Sequence, residues 1–181
     1  ACTYAVDCPE CGCVIPMAKK WWLQKRSSSK GVAARPFVSE DETTIEYEVV
    51  KLPDDITKSE YNPQDGPHTR SGAECLNCGI VMESDAIQDR IRDSEFRYEI
   101  YGVKYEKSSG GTAWRAPTEA DYEAQSKAAN RIESDFELST LLDVKRYIGD
   151  EDRAGPYGVT KWRDAFTPRQ LVTQYEYLQA Y

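Results

Sequence analysis

The sequence predicts an α+β chain, with short antiparallel strands gathered in a β-rich N-terminal module that carries a long insertion, followed by C-terminal helices. Three observations predict it. Two cysteine turns, CPECGC at residues 8–13 and CLNCG at 75–79, lie in a region where apolar and polar residues alternate. That period of two is the mark of a half-buried strand, as in TTIEYEVV, where Ile45, Tyr47 and Val49 alternate with Glu46 and Glu48. From Pro117 the pattern turns helical, and two segments open with helix-start signals. We therefore divide the chain into a β-rich module over 1–116, with knuckles at 8–11 and 75–78, and a helical segment over 117–181.

The elements follow in order. VIPMAKKWWLQKRSSSKGVAARPFV reads as two strands joined by a turn at Ser27, Ser28, Ser29, Lys30 and Gly31, and TTIEYEVV is a third strand. From Leu52 to Gly72, three prolines and many polar residues describe a long loop. SDAIQDRIRD predicts a short helix capped by Ser84. FRYEIYGVKYE alternates through Phe96, Tyr98 and Ile100, then switches parity to Tyr101, Val103 and Tyr105, which predicts a bulge near Gly102. KSSGG turns the chain and TAWRA returns as the partner strand. TEADYEAQSKAANRIES predicts a helix with Thr118 as N-cap and Asp121 completing the box. Asp150 to Gly158 predicts a loop. In AFTPRQLVTQYEYLQAY, Thr167 is the N-cap, Pro168 the first helical residue and Gln170 the reciprocal partner, with Phe166 and Leu171 as staple. The apolar face of this last helix is Leu171, Tyr175 and Leu178. Because the chain begins at Ala1 and its last helix stops without a cap, we expect it to be a piece of a longer polypeptide.

Composition bounds the function. Forty per cent hydrophobic and 30% charged residues suit a folded globular chain. No apolar run approaches the roughly 20 residues that span a bilayer, and no signal peptide is recognisable, so a cytoplasmic location without membrane partners is expected. The net charge of −8 is unevenly spread: residues 1–39 carry +4 and the remaining 142 carry −12. An acidic body repels polyanions, so any nucleic-acid contact is expected from the N-terminal segment.

Cytosolic thiols stay reduced, and paired CxxC turns there point to metal before disulfide. Zinc in structural sites takes four tetrahedral ligands, often thiolates from two CxxC turns. Cys8, Cys11, Cys75 and Cys78 supply that set; Pro9 stiffens the first turn, and Gly12 and Gly79 permit the tight backbone. A zinc-ribbon-like module with structural Zn2+ follows. A thioredoxin-like motif would need a single CxxC in a βαβ frame, which the pattern lacks. Cys13 could replace Cys11 in a CxC arrangement, but CPxCG makes the better knuckle, so Cys13 is expected to be a buried spectator and Cys2 to lie at a frayed end. His68 is expected to be a solvated loop residue. No phosphate loop, Ser/His/Asp set or paired histidines occur, which argues against independent catalysis.

AKKWWLQKRSSSKGVAAR interleaves cations and aromatics. It fits phosphate clamping by Lys19, Lys20, Lys25, Arg26 and Lys30 with stacking by Trp21 or Trp22. It fits equally a ribbon core capped by a tryptophan, with lysines that merely solvate a strand.

CPECGCVIP followed by WWLQK, a second CxxCG, TAWRAPTEAD and the closing YGVTKWRDAFTPRQL together resemble the zinc-ribbon insert of adenine-specific DNA methylases that contain a Zn ribbon. The resemblance covers nearly the whole chain. It implies a parent methyltransferase that uses S-adenosylmethionine, with DNA and the rest of the methyltransferase chain as partners. The family's (D/N)PP(Y/F) motif is met here only by YNPQD at Tyr61 to Asp65, with Gln64 in place of the second proline, and no glycine-rich S-adenosylmethionine loop is present. The catalytic centre is thus expected outside this segment. The competing expectation is an interaction or scaffold ribbon that never touches DNA.

Overall fold

The computed structural model describes residues 1–145 and 159–180; the expected loop from Asp150 to Gly158 falls outside the described residues. The chain divides into two compact units, Ala1–Pro117 and Thr118–Tyr181, and the architecture is α+β, with small antiparallel sheets followed by C-terminal helices.

In the first unit, strands β1 (Cys2–Asp7) and β2 (Val14–Pro16) form a hairpin around the first cysteine turn. Strands β3 (Trp22–Lys25), β4 (Gly31–Val38) and β5 (Ile45–Leu52) build a three-stranded meander. The expected strand VIPMAKKWWLQK is thus split: Val14–Pro16 pairs with β1, while Trp22–Lys25 pairs with β4. Residues between them are engaged elsewhere, since Trp21 N–H donates to Pro63 O at 2.8 Å and Ala18 O accepts from His68 N–H. The serine turn forms as expected, closed by Arg26 and Ser27 amides on Lys30 O.

Strand β5 alternates as expected through Ile45 and Tyr47, but its burial then changes parity to Val50 and Leu52. Pairing with β4 stays in register throughout, so no bulge causes the change. Instead, different apolar groups cover the two faces of the sheet. Tyr47 meets the Trp21 ring at 5.8 Å, and Val50 and Leu52 pack with Ala33, Trp22, Ile56 and Tyr61. The long polar loop is tied down on this second face, where Tyr61 Oη donates to Ala34 O at 2.6 Å and Pro63 is fully buried.

Strands β6 (Gly72–Glu74) and β7 (Val81–Glu83) form a second hairpin around CLNCG, and α1 (Ser84–Arg92) follows at once, burying Ile87 and Ile91 one turn apart. Its N-cap is Glu83 rather than Ser84; the Ser84 hydroxyl donates to Arg70 O at 2.9 Å. The parity switch in FRYEIYGVKYE is a change of sheet rather than a bulge. Strand β8 (Arg97–Ile100) pairs with β1, placing Tyr98 opposite Tyr4, whereas β9 (Val103–Glu106) pairs with β10 (Thr112–Arg115). At Gly102, between them, a Cβ would come within 2.5 Å of the Leu23 side chain.

In the second unit, α2 (Glu119–Ser134) begins as expected, with the Asp121 carboxylate accepting from the Thr118 amide and hydroxyl at 2.9 and 2.8 Å. A further helix, α3 (Phe136–Leu141), was not expected; Asp135 caps it by accepting from Leu138 N–H at 3.0 Å. Helix α4 (Pro168–Gln179) has the full expected start: Thr167 N–H donates to Gln170 Oε1 at 2.9 Å, and Gln170 N–H to Thr167 Oγ1 at 3.4 Å. It packs on α2, where Arg131 pairs with Glu176 and Arg169 lies 3.9 Å from Asp121. Leu171 and Tyr175 are half-buried, but Leu178 is 72% exposed and does not complete the expected face. Among the described residues no helix is long and apolar enough to cross a membrane.

Candidate metal centre

The two cysteine turns are one device built twice. Cys8 N–H donates to Cys13 O at 2.8 Å and Gly12 N–H to Cys8 O at 2.9 Å; Cys75 N–H donates to Ile80 O at 2.8 Å and Gly79 N–H to Cys75 O at 2.9 Å. Gly12 and Gly79 take φ of +75° and +74°, the left-handed conformation that reverses each turn without a Cβ penalty. Each turn thus projects its two cysteine side chains from the tip of a hairpin.

The hairpins β1–β2 and β6–β7 bring the four Sγ atoms of Cys8, Cys11, Cys75 and Cys78 within 4.8 Å of one another. Cys8 Sγ lies 3.6 Å from Cys78 Sγ, and Cys11 Sγ 3.6 Å from Cys75 Sγ. A tetrahedral ion with metal–sulfur bonds of about 2.3 Å requires sulfur–sulfur edges of about 3.8 Å, so the four thiols fit such an ion. All four cysteines are free, and the cysteines of the set come equally from the two turns.

The electrostatics of the cluster favour a cation. The Cys13 amide, hydrogen-bonded to its sulfur, pulls Cys11 down to about 7, helped by hydrogen bonds from Cys78, Cys75 and Cys8. At Cys78 the Ile80 amide also favours the thiolate, but desolvation and the hydrogen bonds shared with Cys11, Cys8 and Cys75 push the thiol up to about 12. Desolvation raises Cys75 against the pull of the Cys78 and Asn77 amides. The neighbours that hydrogen-bond to the Cys11 thiolate are thereby kept protonated, so the four sulfurs do not all ionise together unaided. A bound cation removes that conflict, and the amides aimed at the sulfurs disperse the remaining negative charge.

Cys13 is fully buried and lies outside the set; it occupies the place of Ile80 in the second turn, accepting at its carbonyl from the first cysteine of the turn. Desolvation and the neighbouring Cys11 charge raise its pKa. Cys2 is not frayed, since it pairs with Ile100 at the end of β1. His68 is not freely solvated either: it is half-buried, with its pKa lowered by desolvation and by Lys19. It lies outside the four-sulfur set.

The basic and aromatic residues are divided by the fold. Lys19, Lys20, Lys25, Arg26 and Lys30 are exposed. Trp21 is 1% exposed and lies edge-on to Tyr101 at 5.7 Å, so it caps the core and offers no face to a base. Trp22 is half-buried against Val50 and Leu52. With its amide turned so that the oxygen faces them, Gln64 accepts from Trp22 Nε1 at 2.6 Å and Lys25 Nζ at 3.0 Å. YNPQD is also occupied within the fold, through Tyr61 on Ala34 O, Trp21 on Pro63 O, and Asn62 Nδ2 on Asp65 Oδ2 at 2.8 Å.

One support for the centre escaped the sequence reading. The turn between β4 and β5 touches both cysteine hairpins: Val14 N–H donates to Thr43 O at 3.1 Å, and Asn77 Nδ2 to Glu42 O at 3.3 Å. Asp41 holds this turn, accepting from the Ser39 hydroxyl at 2.6 Å and the Thr43 amide at 3.0 Å, bonds that hold its carboxyl down at about 2. The Ser, Asp and Thr of SEDETT are the turn signal that marks it, in a stretch that otherwise reads as solvated acid. Comparison of the chain with protein-family models, with curated proteins and with solved structures finds no match.

Proposed function

We propose that the chain is a zinc-stabilised module of an adenine-specific DNA methyltransferase, in which the metal is structural and the exposed cations of the N-terminal segment assist DNA binding. The observation that carries the zinc assignment is the convergence of four cysteine sulfurs within 4.8 Å from two hairpins far apart in sequence. Zinc suits an all-thiolate tetrahedron, and when bound it supplies folding energy rather than chemistry, since four protein ligands leave no open position. A reducing cytoplasm would keep the thiols available. The methyltransferase part of the reading rests on the motifs WWLQK, TAWRAPTEAD and FTPRQL; S-adenosylmethionine and the reacting adenine would be bound by the rest of that enzyme. For DNA the support is the exposed set Lys19, Lys20, Lys25, Arg26 and Lys30, the basic pole of an acidic chain.

The scaffold reading draws on a different observation, the exposure of Trp162 (55%) and Leu178 (72%) in the helical unit, where apolar surface suits a protein contact better than a phosphate. Two measurements decide. Elemental analysis of protein purified without added metal, with thiol titration before and after chelation, is expected to give one zinc per chain and four protected thiols. Disulfides in place of metal would overturn the assignment. Duplex DNA is expected to bind with steep salt dependence and more weakly to the Lys19→Glu, Lys20→Glu double variant. Absence of salt-dependent binding would leave the scaffold reading.

A further inference from the structure

Within the first unit, a cleft of about 650 Å³ opens between one face of the β3–β4–β5 sheet and the β9–β10 hairpin. Register builds its floor. Gln24 pairs with Val32 and Val32 with Lys51, a cross-strand row whose side chains share one face. The hairpin contributes Tyr105, which shares a face with its partner Ala113, and Trp114, which shares the other face with Lys104, and the rim carries Arg26 and Lys30 from the serine turn and Lys107 from the glycine turn. Four cations therefore line the cleft against one carboxylate, Asp54, in a chain whose net charge is −8. Among the described residues none of the four is in an ion pair, although Arg35, Arg90, Arg92, Arg97 and Arg131 all are. Unpaired cations concentrated in a concave site raise the local concentration of anions, and guanidinium and ammonium groups are the natural partners of phosphate.

We propose that this cleft seats one or two nucleotides of a single-stranded nucleic acid, with Arg26, Lys30, Lys51 and Lys107 on the phosphates and a base against the exposed Tyr105 ring. Phosphate charge explains the cations and a planar base explains the exposed Tyr105 ring in the cleft; Asp54 can accept from an exocyclic amino group. A duplex cannot bring a paired base to a ring inside a cleft, so the strand must be unpaired there. The inference rests on the nucleic-acid part of the proposed function for its class of partner, but it uses Lys51 and Lys107, which lie outside the basic N-terminal segment.

The test uses the metal-loaded full chain and three probes: a labelled twelve-nucleotide single strand, the corresponding duplex, and a deoxynucleoside monophosphate. Single strand is expected to bind more tightly than duplex and to quench tryptophan fluorescence, with most of the quench lost in Trp114→Phe. Lys51→Glu with Lys107→Glu is expected to weaken strand binding tenfold or more and to flatten the salt slope by about 1.4, at roughly 0.7 per phosphate contact. Circular dichroism and metal content check the fold, and Lys51→Gln with Lys107→Gln reads the charge if the double glutamate variant fails to fold. Strand binding that is unchanged in both pairs overturns the cleft. Duplex binding that depends on Lys19 and Lys20 but not on Lys51 and Lys107 does the same while leaving the DNA-facing reading standing. A monophosphate that binds as tightly as the strand overturns the strand as occupant, and absence of binding by all three probes overturns both readings.

Discussion

Cys8 Sγ lies 3.6 Å from Cys78 Sγ across a separation of 70 positions, and the second close pair, Cys11 with Cys75, also joins one hairpin to the other. The cluster is thus a clasp between two hairpins. Structural zinc sites in small domains contribute about 10–16 kcal/mol, as much as the whole stability of a typical domain at about 5–15 kcal/mol. Cys8→Ser or Cys78→Ser is therefore expected to lose the metal and the cooperative melt of the first unit, whereas Cys13→Ser keeps both. Metal content and thermal unfolding check this; a full metal equivalent in Cys78→Ser would remove Cys78 from the ligand set.

The two turns also predict a matched pair of small effects. A Cβ built on Gly12 or Gly79 meets nothing within 4 Å, so substitution meets no clash and costs only the left-handed backbone strain, about 1–2 kcal/mol at each site. Gly12→Ala and Gly79→Ala are each expected to retain metal while unfolding at lower denaturant. Gly102→Ala differs in kind, because its Cβ would press on Leu23. Denaturant midpoints of the three variants test the distinction, and loss of metal from Gly12→Ala would show that the turn has no tolerance.

What the sequence made legible is whatever local chemistry decides. The CxxCG turns, the Thr167–Pro168–Gln170 start of α4 and the Thr118–Asp121 start of α2 all form, because each rests on residues within a few positions of one another. Tertiary packing decides the rest. Nothing in WWLQK says that Trp21 turns into the core while Trp22 covers the opposite face of the sheet. The parity switch at Tyr101 signals an irregularity, but that it is a change of sheet depends on the pairing of β8 with β1, at the far end of the unit in sequence. Lys51 lies far in sequence from Arg26 and Lys30 and joins them through strand register, and Lys107 joins them only because the β9–β10 hairpin packs over that sheet.

The long loop supplies the next prediction. Tyr61 Oη donates to the carbonyl of fully buried Ala34 at 2.6 Å, and burial raises the phenol above its ordinary value, so it remains a donor at neutral pH. Tyr61→Phe keeps the ring against Val50 and Leu52 and leaves that carbonyl without its phenolic donor, which costs about 1–3 kcal/mol. Tyr61→Ala removes the ring as well and is expected to cost more. Hydrogen exchange at the amides of residues 61–68 should rise in both variants; equal stability of Tyr61→Phe and the parent would show that the hydrogen bond contributes nothing net.

His68 gives the chain a single histidine whose titration can be followed alone. Desolvation of the half-buried ring and the nearby Lys19 lower its pKa, and its hydrogen bond to the Met17 carbonyl only partly offsets them. The unfolded chain, with a histidine near 6.5, then binds its proton more readily than the folded one. Stability from this residue is fully present above pH 6.5 and falls as pH drops from 6.5 towards the lower folded value, because stability rises with pH wherever the unfolded state holds more protons. The imidazole proton resonance of His68 is expected to titrate with a midpoint below 6.5. His68→Gln, which removes the titrating group, should flatten the part of the stability profile that falls in that window. A midpoint at or above 6.5 would place the ring in water and return the loop around Pro67 to the solvated character that its composition suggested.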